Sequence, residues 1–205
     1  MLSDGVMAIA ATLLVLDIAS GVPQAERVGV LEAITDARFS YLGYLLSFTV
    51  IGLIWVSHHA MFDRLRAVDR PIVFSNLALL CLVAFIPWPT GLLAEFIGRG
   101  GRNAAIATAF YSAVMTLIGL VFVFQWWHLS RHPELLRVVV TPSAIRRALG
   151  LAAVGPAVYA LTIPLAFVSP PLCLLIYVAI SAYFAAGPSS RALADGTVGR
   201  PHPPR

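Results

Sequence analysis

The most evident deficits of this sequence are lysine and, more generally, charge. Of its 205 residues 12% are charged and 59% are hydrophobic, and all 14 basic residues are arginines. Soluble domains average about 25% charged residues, so this balance and the mean hydropathy of +0.85 exclude an ordinary soluble fold. The composition predicts an integral membrane protein, and the net charge of +4 is not that of a nucleic-acid-binding patch.

Cysteines and catalytic motifs are equally scarce. Cys81 and Cys173 lie in apolar stretches without the spacing of a metal or redox site, so we expect small core residues. His59 and Asp63 are four residues apart and could share a helix face as zinc ligands, with His58 adjacent, but no third ligand follows at a suitable spacing. Because no nucleotide loop, catalytic triad or carboxylate pair is visible, we expect neither an enzyme nor a cofactor.

Apolar stretches fill most of the chain. A membrane-spanning helix needs about 20 mostly apolar residues, and short polar breaks separate six such stretches. We therefore predict an all-α polytopic membrane protein with six transmembrane helices in one domain over residues 1–187. The predicted spans are 3–20, 38–60, 71–94, 103–128, 146–167 and 170–187. The Pro- and Arg-rich tail 188–205 is expected to be disordered.

The arginines predict the orientation of these spans. With six helices, both termini share a side with the loops after the second and fourth helices, and that side holds ten arginines against four on the other. Because cytoplasmic loops carry the excess of basic residues, both termini are expected in the cytoplasm. The run Trp126-Trp127-His128 at the end of the fourth span is typical of an aromatic belt at the membrane interface.

The first span carries two acidic residues, Asp4 and Asp17. Carboxylates in a membrane helix are costly unless paired or hydrated, which makes this segment a functional candidate. A secretory signal is not expected, because Asp4 stands where a basic region would lie. One face of the helix, opposite Asp4, carries a mostly apolar stripe that includes Ile9, Thr12, Leu13 and Leu16. The stripe suits lipid contact, helix packing or the lining of a pore, and periodicity does not choose among them.

Two separate blocks of sequence are distinctive. The first runs from Ser3-Asp4-Gly5-Val6 to Thr12-Leu13-Leu14-Val15-Leu16. The second contains Trp55-Val56-Ser57-His58-His59, then Asn76-Leu77 and Pro87-Trp88-Pro89-Thr90. In order and spacing, both blocks resemble the transmembrane protein 175 family, the endolysosomal potassium channels and their bacterial relatives.

The resemblance implies a pore surrounded by the first helix of each copy, and members with one six-helix repeat assemble as homotetramers. In that family the narrow point of the pore is apolar, and the residues at the matching positions here are Ile9, Leu13 and Leu16. A layer of hydroxyl groups that is linked to potassium selectivity in the family corresponds to Thr12. From the residues alone, the Thr12 hydroxyl could instead bond to a carbonyl of its own helix. We expect a potassium-permeable channel in a bacterial inner membrane, in contact with lipids. The alternative is a proton or weakly selective cation channel on the same scaffold.

A polar network behind the first helix is also implied. The family's motif has Phe before Ser-Asp and an Arg upstream, but here Leu2 stands at the Phe position and the Arg has no counterpart. Asp4, together with Ser3, is therefore expected to find other partners in the bundle. The candidates lie at one end of the second and third spans and are Trp55, one of His58 and His59, and Asn76. Alternatively, both histidines simply lie at the headgroup boundary.

Overall fold

The protein, described by a computed structural model over residues 2–19, 27–187 and 197–201, is almost entirely helical in these ranges. The helices are α1 (Leu2–Leu13), α2 (Val15–Ala19), α3 (Val30–Asp36), α4 (Arg38–Phe62), α5 (Arg70–Phe85), α6 (Pro87–Ile97), α7 (Gly101–Arg131), α8 (Pro142–Leu165) and α9 (Pro170–Ala185). A 3-10 turn at Pro133–Leu135 and strand β1 (Val138–Val140) join α7 to α8, and β2 (Thr197–Pro201) follows α9.

Within the described ranges, five helical stretches are long and apolar enough to cross a membrane, which confirms the all-α membrane class. They are Leu2–Ala19, Arg38–Phe62, Arg70–Ile97, Gly101–Arg131 and Ser143–Leu165. Helix α9 is apolar but has 16 residues, about 24 Å of helix against a hydrocarbon core of about 30 Å. A sixth spanning helix therefore stays a prediction.

Two of the predicted spans are divided. The first is interrupted at Leu14, which separates α1 from α2. The third is divided at Ile86, because Pro87 cannot donate a helical hydrogen bond and starts α6. Helix α5 begins at its predicted position because the Asp69 carboxylate accepts a hydrogen bond from the Ile72 N–H at 3.1 Å, which caps the helix.

Side-chain contacts give the helices an alternating up-and-down order. Trp55, near the end of α4, bonds to Asp4 at the start of α1, and His128, near the end of α7, bonds to Asp69 at the start of α5. The Phe39 ring packs on Gly98 at the opposite end of the bundle. The loops after α4 and α7, which hold Arg64, Arg66 and Arg137, therefore share one end.

Close helix packing relies on small residues. A Cβ atom at Gly119 of α7 would lie 2.6 Å from Cδ of Pro156 in α8, so only glycine fits this crossing. Glycine at such a crossing lets two membrane helices approach closely. The apolar core continues from here to α1, where Met7, Ala10 and Leu14 are buried.

The strands form a small antiparallel sheet in which Val138 pairs with Pro201. β-Branched valines favour strand pairing. Most of the tail that was predicted to be disordered, residues 188–196 and 202–205, lies outside the described residues. The described part, Thr197–Pro201, pairs with β1, and the disorder of the tail stays a prediction.

Candidate functional site

Helix α1 has one covered and one uncovered face. Met7, Ala10 and Leu14 are at most 2% exposed and face the core. The opposite face of α1, and its continuation in α2, holds large apolar side chains that are 41–60% exposed, namely Ile9 and Leu13 in α1 and Leu16 in α2. The stripe predicted from the sequence is therefore left uncovered by the described remainder of the same chain.

Thr12 lies on the uncovered face and uses its hydroxyl within its own helix. Its Oγ1 donates a hydrogen bond to the Ile9 carbonyl at 2.9 Å. This is the bond to a carbonyl of its own helix that the sequence analysis gave as an alternative role for the hydroxyl. Donation engages the hydroxyl proton alone, so the oxygen lone pairs remain able to accept or to coordinate a cation. The uncovered face thus offers an oxygen ligand between apolar neighbours.

The other side of the first turn of α1 meets a chain of polar side chains. Trp55 Nε1 donates to Asp4 Oδ1 at 3.0 Å, and Asn76 Nδ2 donates to Ser3 Oγ at 3.3 Å. His58 Nε2 donates to Asn76 Oδ1 at 2.8 Å, which requires the tautomer with its proton on Nε2. Two hydrogen bonds from two different helices, α4 and α5, therefore hold the start of α1.

His59 lies outside this chain of bonds. Its Nε2 is 3.3 Å from Asp63 Oδ2, and its ring stacks on Trp55 with centroids 5.4 Å apart. Because His58 is directed at Asn76, the two histidines do not converge on one point. Among the described residues, no group of three His, Cys, Asp or Glu side chains could hold a metal ion.

The Asp69–His128 pair was missed by the sequence analysis. His128 Nε2 lies 2.6 Å from Asp69 Oδ2. Burial alone would raise the pKa of the Asp69 carboxyl, but the bonds from His128 and the Ile72 N–H outweigh it and lower that pKa. The sequence signal for one half of the pair is the position of Asp69 just before Arg70-Pro71, which is an N-cap pattern.

The aromatic belt predicted at Trp126-Trp127-His128 is wrong for two of its three members. Trp126 and His128 are each 8% exposed, and of the three only Trp127 is well exposed.

Buried hydroxyl clusters were also missed. Ser112 of α7 lies 2.5 Å from the Tyr177 hydroxyl and 2.9 Å from Thr162 Oγ1, joining three helices. A second pair joins Ser47 to Thr90 at 2.8 Å. A membrane interior holds little water, so such groups must bond to one another. The four-residue spacing of Thr108, Ser112 and Thr116 is the sequence signal for the first cluster.

These features define a polytopic α-helical integral membrane protein with an uncovered, mostly apolar face on its first helix. The family model described as endosomal/lysosomal potassium channel TMEM175 matches residues 1–87, which include every site residue predicted above. A protein named as a potassium channel from Streptomyces collinus is 44% identical over 183 residues, 89% of this chain and 87% of that protein. The chain therefore belongs to the TMEM175 family, a family of ion channels and not of enzymes.

A solved structure agrees with this assignment. The crystal structure described as a lysosomal potassium-selective channel TMEM175 homolog from Chamaesiphon minutus superposes with a TM-score of 0.79 at 32% identity, covering 93% of this chain and 94% of that chain. The protein named endosomal/lysosomal proton channel TMEM175 from Gallus gallus is 35% identical over 132 residues, but these span 26% of that longer protein.

Proposed function

We propose that this protein is a potassium-permeable channel in which α1 from each of four copies lines a central pore. The observation that carries the proposal is the uncovered face of α1, which combines exposed apolar side chains with the Thr12 hydroxyl. In support, the relatives from Streptomyces collinus and Chamaesiphon minutus are named potassium channels. An oligomer covers this face in a way that a single chain does not.

The apolar members of the face form the constriction. A ring of four Ile9 side chains excludes water when closed and gates the pore by dewetting. Leu13 and Leu16 extend this apolar lining along the same helix face. Conduction requires the α1 helices to rotate or to move apart.

Thr12 sets the preference for potassium. Four hydroxyl oxygens replace part of the hydration shell of a cation, and potassium loses water more readily than sodium. Because a single ring of hydroxyls compensates dehydration less completely than stacked carbonyl rings, the selectivity is modest.

The polar network orients the pore helix. Hydrogen bonds at 3.0 Å from Trp55 to Asp4 and at 3.3 Å from Asn76 to Ser3 fix both the position and the rotation of α1. Rotation by about 100°, one residue of helix, would replace one lining residue by its neighbour. The network therefore acts through α1 and does not itself contact the ion.

Both termini are proposed to lie in the cytoplasm. The bundle end that carries the starts of α1 and α5 also carries Arg64, Arg66 and Arg137, and basic residues accumulate on the cytoplasmic side. The relatives from Streptomyces collinus and Chamaesiphon minutus support a bacterial cell membrane as its location.

Potassium flux from proteoliposomes tests the channel. Thr12→Val removes the hydroxyl at nearly constant volume, so the ratio of potassium to sodium flux should fall. The matched control is Thr49→Val, because Thr49 is also exposed and donates to a carbonyl of its own helix, Leu45, at 2.8 Å. No potassium flux in the unmodified protein, or equal ratios in both variants, contradicts the proposal.

A second variant tests the constriction. Ile9→Asn should increase resting potassium leak because a hydrated ring no longer dewets, whereas Ile106→Asn, at an exposed isoleucine of α7, should not. A pH-sensitive dye inside the same liposomes distinguishes the proton-channel alternative. Native mass spectrometry should give four chains, and a stable monomer would refute the shared pore.

A further inference from the structure

A cavity lies on the side of the bundle away from the proposed pore helix α1. It has a volume of about 190 Å³ and is enclosed by α4, α7, α8 and α9, with no lining residue from α1. Its walls are almost entirely apolar, and the large side chains that line it include Ile54, Met61, Ile118, Phe122, Trp126 and Phe184. The lining excludes a strongly polar ligand from most of its length.

The cavity is an elongated groove. On α4 it is lined from Val50 to Met61, and on α7 from Met115 to Trp126, a run of about 16 Å along each helix axis. Val56 lines it and is 53% exposed, so the groove is open to the outside of the bundle at this residue. Because α4 and α7 are long enough to cross a membrane, this opening faces the layer in which lipid chains lie.

One end of the groove carries a positive charge. Arg64 lies in the turn that follows α4, where its backbone N–H donates to the carbonyl of Met61, a lining residue, at 3.1 Å. Its Nη1 donates to the carbonyl of Ala60, which itself lines the groove. The guanidinium is therefore held at the end of the apolar channel.

The carboxylates of the two loops at this end of the bundle, after α4 and α7, are engaged by histidines. Histidine side chains contact each of them, at 3.3 Å for Asp63, 2.6 Å for Asp69 and 3.0 Å for Glu134. Among the described residues, no carboxylate forms an ion pair with Arg64, so its guanidinium is available to an external anion. A guanidinium matches the geometry of a phosphate because it donates two parallel hydrogen bonds.

We propose that this groove binds one acyl chain of an anionic phospholipid from the surrounding bilayer, with the lipid phosphate at Arg64. The length and apolar lining fit an extended hydrocarbon chain, the lateral opening admits it from the bilayer, and the charge selects the headgroup. The site is separate from the pore and does not depend on the proposed ion selectivity.

Tryptophan fluorescence tests this site because Trp126 lines the groove. The full chain is reconstituted in phosphatidylcholine with a fixed fraction of either brominated phosphatidylglycerol or brominated phosphatidylcholine, since bromine on an acyl chain quenches nearby tryptophan. The anionic lipid should quench more strongly. Trp126→Phe should remove this excess and leave the quenching of the other tryptophans.

Charge variants then locate the headgroup. Arg64→Gln should abolish the excess quenching, Arg64→Lys should retain part of it, and Arg66→Gln, which removes the same charge from an exposed neighbour, should leave it intact. Ala152→Phe, which fills the groove, should abolish it without a change in charge. Equal quenching by the two lipids, or an excess that survives Arg64→Gln, overturns the proposal. If neither brominated lipid quenches Trp126, another copy of the chain fills the groove, and this result also overturns the proposal.

Discussion

Asn76 offers the sharpest test of the polar network because it bonds on two sides. Its Oδ1 accepts from His58 at 2.8 Å, and its Nδ2 donates to Ser3 at 3.3 Å. Asn76→Ala removes both bonds and leaves the His58 ring, 6% exposed, with its Nε2–H unpaired. The variant should therefore lower stability and loosen the start of α1 together.

The magnitude follows from the two bonds. Side-chain hydrogen bonds in membrane proteins average about 0.6 kcal/mol, with a maximum near 1.7 kcal/mol, and an unpaired buried donor costs about 1–3 kcal/mol. The short bond to the buried His58 carries most of the effect, because the bond to Ser3 is long. We expect a loss of about 1–2 kcal/mol in the free energy of unfolding, with a lower potassium flux.

The assay is unfolding in mixed detergent micelles, followed by potassium flux from proteoliposomes. Asn103→Ala is the matched control, because Asn103 is the other asparagine of the chain and is exposed at the start of α7. Asn76→Asp keeps an acceptor for His58 and should lie between the unmodified protein and Asn76→Ala. If Asn76→Ala and Asn103→Ala unfold with the same free energy and conduct equally, the network does not hold α1.

Two further predictions concern packing and pH. Gly119→Ala places a Cβ atom 2.6 Å from Pro156 Cδ, a rigid ring atom, and should lower the free energy of unfolding by about 1–3 kcal/mol in the same micelles. The pKa of Asp69 is lowered in the folded state, so its contribution to stability is present above its ordinary pKa of 3.8 and is lost as the pH falls through the lower folded value. Asp69→Asn should remove this part of the acid dependence in unfolding experiments below about pH 4.

Each of these predictions has a control in the chain. A Cβ atom at Gly150 meets no atom within 4 Å, so Gly150→Ala should not destabilise the protein. Asp36→Asn makes the same charge change as Asp69→Asn at an exposed residue. It should leave the loss of unfolding free energy at acid pH unchanged. Equal losses of unfolding free energy in Gly119→Ala and Gly150→Ala would contradict the packing described above. An unchanged acid dependence of stability in Asp69→Asn would contradict the pairing of Asp69 with His128.

Local sequence predicted the helices well where a single segment carries the signal. The span predicted at 38–60 is α4 at Arg38–Phe62, because hydropathy and length are properties of one continuous stretch. The division at Ile86 has its cause in Pro87, which starts the next helix. Breaks inside apolar stretches depend on how a helix is accommodated by its neighbours.

The choice between the two histidines shows the limit of sequence reasoning. Relative to Trp55, His58 and His59 lie three and four residues away, and both spacings place a side chain on the same helix face. The structure directs His58 to Asn76 and stacks His59 on Trp55. The angle at which α4 meets α1 and α5 decides this, and no local pattern encodes that angle.

The sequence by itself determined the membrane class, the approximate spans, the stripe of α1 and the family, because hydropathy, periodicity and motifs are read along one continuous chain. Only the tertiary structure decided which partners meet. Asp69 and His128 pair across 59 positions of sequence, and residues from Val50 to Phe184 line one groove built by four helices. Such contacts depend on the mutual packing of helices that are distant in sequence, where the shape of one surface selects the position of the next.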